Sequence, residues 1–274
     1  MPSPIGAIAL AAALLMPAAA SAFDESKYPD MKGQWIRVGI PRWTAGGQKA
    51  PLTEEYQKVF DANLADMATG DPGNVPSWYC LPQGMPMMMN IYDPMEVIVT
   101  PAITYILISH VNDSYRRIYT DGRDWPAEVE PSYVGYSIGK WRDEDGDGRY
   151  DVLEVETRHI KGPGGAYDAS GVPLHRDENT VVKERIYLNK DNPNLLHDQI
   201  TVIDRSLMRP WTVIKTYRRN PNSRPEWQEY VCTESNNHVR VGKESYFLSA
   251  DGYLMPAKKD QPPPDLRYFK RATK

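Results

Sequence analysis

Nucleic-acid binding finds no footing in this chain, because no run of Lys and Arg is long enough to track a phosphate backbone and the formal net charge is −4. Motifs for metals and nucleotides are equally sparse. His-x-x-x-His and Cys-x-x-Cys spacings are absent, which leaves zinc without sequence support. The Gly-rich stretch Gly162-Pro-Gly-Gly165 has no Walker spacing and no helix start behind it, so it is no phosphate cradle. A Gly-x-Ser-x-Gly nucleophile elbow is also missing. After residue 22 no apolar run reaches the length of a membrane-crossing helix, and there is no internal repeat. Cysteine is scarce: Cys80 and Cys232 are the only two. In an oxidising compartment such a pair reads as a disulfide closing a long loop, worth about 4 to 5 kcal/mol in the chain-entropy model; two buried thiols are the alternative. Nothing beside either residue depresses a thiol pKa, so a catalytic cysteine has no support.

What is present begins with an export signal over residues 1–22. Ile5 to Met16 is an apolar run of h-region length and Ala20-Ser21-Ala22 is a small-residue cleavage pattern, although no Lys or Arg precedes the run. Cleavage there leaves 274 − 22 = 252 residues and the same net charge, enough for one sizeable domain that is periplasmic or secreted.

The most specific signal is Asp143-Glu-Asp-Gly-Asp-Gly-Arg-Tyr-Asp-Val-Leu-Glu154. It matches the calcium-loop template, with Asp143, Asp145 and Asp147 at positions 1, 3 and 5, Gly148 at the turn, Arg149 offering a carbonyl, Asp151 at 9 and Glu154 at 12. Its flanks, Tyr136 to Trp141 and Val152 to His159, alternate with period two and carry β-branched and aromatic residues, so the expectation is a calcium loop on a β-hairpin and not an EF-hand. The alternative is a solvated Asp/Gly turn that binds nothing. Calcium is the only cofactor expected; no organic cofactor is.

Strand patterns dominate the rest. Met31 to Val38 carries Gly33-x-Trp35, and further strands are expected over 96–100, 104–110, 115–120, 136–141, 152–159, 180–188, 199–206, 211–218 and 229–234. One amphipathic helix is expected from Thr53, its N-cap, to Ala68, with Tyr56, Val59, Phe60, Leu64 and Met67 as an apolar stripe interrupted by Asn63. About ten strands in succession with one helix imply an antiparallel up-and-down barrel over residues 23–238, followed by a Pro-rich tail, 239–274, pinned to it by Tyr246, Phe247, Tyr253, Leu254, Met255, Tyr268 and Phe269. Gly84-Met-Pro-Met-Met-Met89 reads as adaptable apolar filler; a Cu(I) site is the alternative.

Cys80-Leu-Pro-Gln-Gly-Met-Pro86, Arg117-Ile-Tyr-Thr-Asp-Gly-Arg123, Ser137-Ile-Gly-Lys-Trp141, Val181-Val-Lys-Glu-Arg185, Pro210-Trp-Thr212 and Glu229-Tyr-Val-Cys232 are together similar to the ordered landmarks of a family of exported bacterial proteins. The resemblance spans most of the mature chain, and Leu254-Met-Pro with the run Lys259 to Phe269 extends it to the end. It implies a mainly β, lipocalin-like domain and brings no activity with it. Members of that family have a tight turn where this chain has Asp143 to Glu154, so the calcium loop is a local addition.

Titratable groups on otherwise apolar strand faces mark burial candidates. They are His110 on the face of Thr104, Ile106 and Ile108, His159 on that of Leu153, Val155 and Thr157, and Glu184 on that of Val182, Ile186 and Leu188. Two readings follow. In the first, the barrel binds a small apolar or aromatic molecule in its interior, a role suited to its 17 Tyr and 7 Trp, with Arg117, Tyr119, Arg185 and Trp141 as ligand-facing groups. In the second, the same scaffold is a cofactor-independent lyase, isomerase or hydrolase, with Glu184 as base, His159 as proton carrier and loop residue His175 as the most accessible candidate. A structural role for the same residues, with Glu184 paired to Arg117 or Arg185, is the competing interpretation.

Overall fold

Alternation of buried and exposed side chains runs along every long strand of the computed structural model, which describes residues 23–44, 48–90, 93–110, 114–162, 164–232, 238–241 and 244–264. The expected export signal, Tyr268 and Phe269 lie outside the described residues. The elements in chain order are β1 (Gln34–Arg37), α1 (Glu54–Ala68), β2 (Met95–Val99), β3 (Ile103–Ile108), β4 (Ser114–Tyr119), β5 (Tyr136–Arg142), β6 (Val152–Arg158), β7 (Gly165–Ala166), β8 (Pro173–Leu174), β9 (Val181–Leu188), β10 (Leu195–Ile203), β11 (Trp211–Arg219), β12 (His238–Val241), β13 (Glu244–Leu248) and β14 (Leu254–Pro256). No described helix is long and apolar enough to cross a membrane.

Nine strands close a barrel in the order β1-β11-β10-β9-β6-β5-β4-β3-β2. A ring with an odd number of strands cannot alternate direction throughout, so one neighbouring pair must be parallel. That pair is β4 and β5, where Ile118 faces Ser137 and Tyr119 faces Ile138; every other barrel pairing is antiparallel. A parallel pair needs a crossover of a dozen or more residues. The connection 120–135 provides it, tied down by a bridge between Ser132 and Ile160. The short β1 completes the ring, with Trp35 opposite Met95 on one side and Arg219 on the other.

One continuous cluster of buried apolar side chains draws on all nine strands, among them Trp35, Val97, Ile106, Ile118, Trp141, Leu153, Val182, Ile200 and Val213. The Met segment joins it: Met85, Met88 and Met89 are fully buried, as expected of adaptable filler, and the Tyr217 hydroxyl donates to the Met89 carbonyl.

Thr53 caps α1 by accepting from the Tyr56 N–H. The inward face differs from the apolar stripe, because Val59 and Leu64 are exposed whereas Tyr56, Phe60, Asn63 and Met67 are half-buried. Asn63 is the reason: its amide donates to the Gly171 carbonyl at 2.8 Å, so the polar interruption is a docking contact that sets the rotation of the helix.

Cys80 and Cys232 form a disulfide with Cα atoms 5.5 Å apart, across a sequence separation of 152. Beyond it, β12, β13 and β14 form a separate antiparallel sheet. Tyr246 of β13 is buried and donates to the Pro262 carbonyl at 3.1 Å within the tail, and Lys258 pairs with Asp71 of the barrel domain, whereas Tyr253 and Met255, two of the expected pinning residues, are exposed. The expected strand at 229–234 is not formed over 229–232; that stretch delivers Cys232 to its partner instead.

Candidate functional site

Inside the barrel the strands present a polar crosspiece. Arg116, projecting inward from β4, grips Glu184 of β9 with two nitrogens, Nη1 to Oε1 at 2.7 Å and Nη2 to Oε2 at 2.5 Å. Its Nε donates to Ser137 at 3.0 Å and Nη2 also donates to Thr157 at 2.6 Å, and those hydroxyls bond each other at 2.8 Å. Both charged side chains are buried, so this is a paired charge whose donors and acceptors are met. Beside it, Asp198 of β10 is 0 % exposed, with the Glu184 carboxyl as its side-chain neighbour. Burial first, then the charge of Glu184, pushes its carboxyl well above the usual carboxylate range.

Lys215 of β11 lies opposite Asp198 in register, yet its ammonium reaches the other way. It donates to the carbonyls of Arg42 at 2.9 Å and Trp43 at 2.5 Å and sits 4.7 Å from the Trp43 ring centroid. Desolvation, with the charge of Arg37 second, brings this amine down from the ordinary 10.5 to about 7 against the opposing pull of Asp168 and Asp198.

The carbonyls held by Lys215 belong to the wall of a cavity of about 500 Å³ at the end of the barrel where β10 turns into β11. Trp43, Leu52, Phe60, Val172 and Trp211 supply its apolar lining, and Arg42, Lys49 and Asp168 its charged lining. Trp43 and Trp211 form an aromatic floor backed by the fully buried Tyr167, the three ring centroids 5.0, 5.1 and 6.3 Å apart. Asp168 is buried and fixes the geometry, accepting from the Trp43 N–H, from the Ser170 N–H at 2.8 Å and from the Ser170 hydroxyl. The chain entering α1 is fastened to the same end of the barrel, since Thr53 N donates to Ser206 O at 2.9 Å and Met208 N to Pro51 O at 2.8 Å. Two further cavities are lined by residues 23–33 with β2 and Arg149, about 470 Å³, and by the acidic hairpin with residues 187–190, about 630 Å³.

At that hairpin, Asp143, Asp145 and Asp151 bring carboxylate oxygens within 4.8 Å of one another. The remaining template positions are engaged elsewhere. Asp147 caps the Arg149 N–H at 2.8 Å, and Glu154 binds Arg142 at 2.6 Å and Arg185 at 3.1 Å. Lys190 occupies the cation position in part, 2.9 Å from Asp145 and 3.9 Å from Asp151. Asp143 accepts from the N–H groups of Gly146 and Gly148 at 2.7 and 2.9 Å and Asp151 from that of Glu144 at 2.8 Å, so the three carboxylates are close enough to share an ion while each already has a donor; Glu154 would have to leave its arginines to serve as the bidentate ligand.

The acid–base candidates are not brought together. Glu184 faces Val155 across the β6–β9 pair, and His159 is four residues further along, about 13 Å at strand rise. His159 sits beyond the end of β6 with φ of 56°, its ring 6.5 Å from Trp125. His175 bonds the Tyr56 hydroxyl through Nδ1 and lies 3.4 Å from Asp177 through Nε2, which docks α1 onto the loop after β8. His110 pairs with Asp93. Arg117 projects outward between Tyr105 and Tyr119 at 5.8 and 5.6 Å, and Tyr119 stacks on Tyr136. Arg185 bridges Glu144 and Glu154 on the outside. Trp141 is buried, edge-on to Tyr28 at 5.3 Å.

Glu184 is paired with Arg116, not with Arg117 or Arg185, the partners expected of it. Parity would have shown this: Ile118 is fully buried on β4, so Arg116, two residues away, shares its face and Arg117 does not. The same test applied to Leu196, Asp198 and Ile200 and to Val213, Lys215 and Tyr217 isolates Asp198 and Lys215, the two groups missed. No family model, curated protein or solved structure matches the chain.

Proposed function

We propose that this protein is an exported binding module that takes up a small apolar or aromatic molecule in the cavity at the end of its barrel, with calcium bracing the acidic hairpin. The observation that carries the reading is the cavity of about 500 Å³ with a floor of packed indole rings and a few fixed polar groups, the composition of small-molecule sites in general. Buried apolar side chains and the Arg116–Glu184 crosspiece occupy the barrel's interior, which supports setting the ligand at its end. The Cys80–Cys232 pairing is compatible with an oxidising compartment. The acid–base alternative needed His159 and Glu184 in one pocket; with both Glu184 oxygens on Arg116, binding is favoured over turnover.

The test is a fluorescence titration with the uncharged probe N-phenyl-1-naphthylamine. Saturable one-to-one binding is expected, weakened about tenfold by Phe60→Ala, because removing a partly buried ring loses on the order of 1.5 kcal/mol of apolar contact. No saturable binding, or binding indifferent to Phe60→Ala, would refute the placement.

A further inference from the structure

We infer that the end cavity selects organic acids: its ligand is a small aromatic or apolar molecule bearing one anionic group. This deepens the binding reading above and rests on it. The support is the imbalance of charge around an apolar floor. Two cations, Arg42 and Lys49, line the cavity, and neither has a carboxylate partner within salt-bridge distance among the described residues. A third, Lys215, lies directly beneath, bonded to the carbonyls of two lining residues. Against these three stands one lining acid, Asp168, whose carboxylate already accepts from Trp43 N and from both donors of Ser170. Among the lining side chains two cations against one acid leave a surplus of one, with Lys215 behind them, in a chain whose net charge is −4.

That surplus is opposite in sign to the net charge of the chain. Over an apolar floor with low-dielectric walls it attracts an anion whose hydrocarbon part the indoles and Phe60 cover. A cationic ligand meets repulsion from Arg42 and Lys49 and finds the one carboxylate occupied. A neutral ligand gains the floor but leaves the two rim cations uncompensated.

The experiment uses two probes that differ by one sulfonate, N-phenyl-1-naphthylamine and 8-anilino-1-naphthalenesulfonate, titrated into the full mature chain at pH 6 in 20 mM and 200 mM salt. The expected result is an affinity for the sulfonate at least tenfold above that for the neutral probe at low salt. That ratio should shrink severalfold at high salt and fall about threefold in each of Arg42→Gln and Lys49→Gln. Both substitutions are at exposed positions, and circular dichroism checks the fold. Equal or weaker binding of the sulfonate with intact neutral binding overturns the inference and leaves the binding reading standing. A preference insensitive to both substitutions overturns it as well, since the anion then sits elsewhere. If neither probe binds, the binding reading fails and the inference with it.

Discussion

Replacing Arg116 by methionine removes one side chain and disturbs four hydrogen bonds, two to Glu184 and one each to Ser137 and Thr157. Met roughly keeps the length and apolar volume of the stem, so the dominant loss is electrostatic. Glu184, 0 % exposed at its side chain, is left as an uncompensated carboxylate in an apolar interior beside Asp198. Breaking a buried pair from one side costs about 3–5 kcal/mol. At roughly 2.5 °C per kcal/mol for a domain of this size, the melting temperature should fall by about 10 °C. The double variant Arg116→Met with Glu184→Leu removes both charges and leaves Ser137 and Thr157 bonded to each other at 2.8 Å, so most of the loss should be recovered. The assay is urea unfolding followed by far-ultraviolet circular dichroism on the wild type, both single variants and the double variant, read as a double-mutant cycle. A single-variant loss under about 1 kcal/mol, or a double variant as unstable as the sum of the singles, would show that the pair does not span a closed interior.

Four further outcomes follow from the same structure. Asp198 holds its proton above its unfolded-state value, so its contribution to stability is present in acid and lost as pH rises toward its folded value; Asp198→Asn should raise stability at pH 7 and change nothing near pH 3 by urea unfolding. Lys215 runs the other way: between about 7 and its unfolded value near 10.5 the unfolded chain binds more protons, so this residue adds stability with rising pH at up to about 1.4 kcal/mol per unit, a slope that Lys215→Met should remove. Reducing the Cys80–Cys232 disulfide should cost about 5 kcal/mol in the chain-entropy model, seen as an earlier urea midpoint in dithiothreitol that Cys80→Ser with Cys232→Ser reproduces. Calcium at a hundredfold its Kd should add about 2.7 kcal/mol to stability relative to chelator, and Lys190→Ala should tighten calcium binding by removing the competing ammonium; no thermal shift with millimolar calcium in either protein counts against the ion.

Much of the fold was legible because burial leaves a period in the sequence. Alternation marked the nine barrel strands within a few residues, and Thr53 marked the start of α1. The misjudged boundaries have physical causes. β10 starts at Leu195, four residues before the expected 199; the added stretch carries the polar pair His197 and Asp198, although Asp198 points into the core. The parallel β4–β5 pair depends on the path of the 120–135 connection, which no local period encodes. The site was less visible still. Its floor and the ring behind it join Trp43, Trp211 and Tyr167, residues far apart in sequence and without a shared motif, so only the closed barrel brings them together. The Gly-rich stretch has a packing explanation: a Cβ on Gly162 would lie 1.8 Å from the Arg176 carbonyl oxygen and one on Gly165 2.7 Å from its guanidinium, so glycine lets the chain cover that buried arginine.

The most direct test of the account is the set of indole N–H signals in a nitrogen-15 correlation spectrum while N-phenyl-1-naphthylamine is added. Ligand at the barrel's end predicts that the Trp43 and Trp211 signals shift while those of Trp35 and Trp141, buried in the filled core, stay fixed. Shifts at Trp35 and Trp141 with Trp43 and Trp211 unmoved would place the ligand inside the barrel and contradict it.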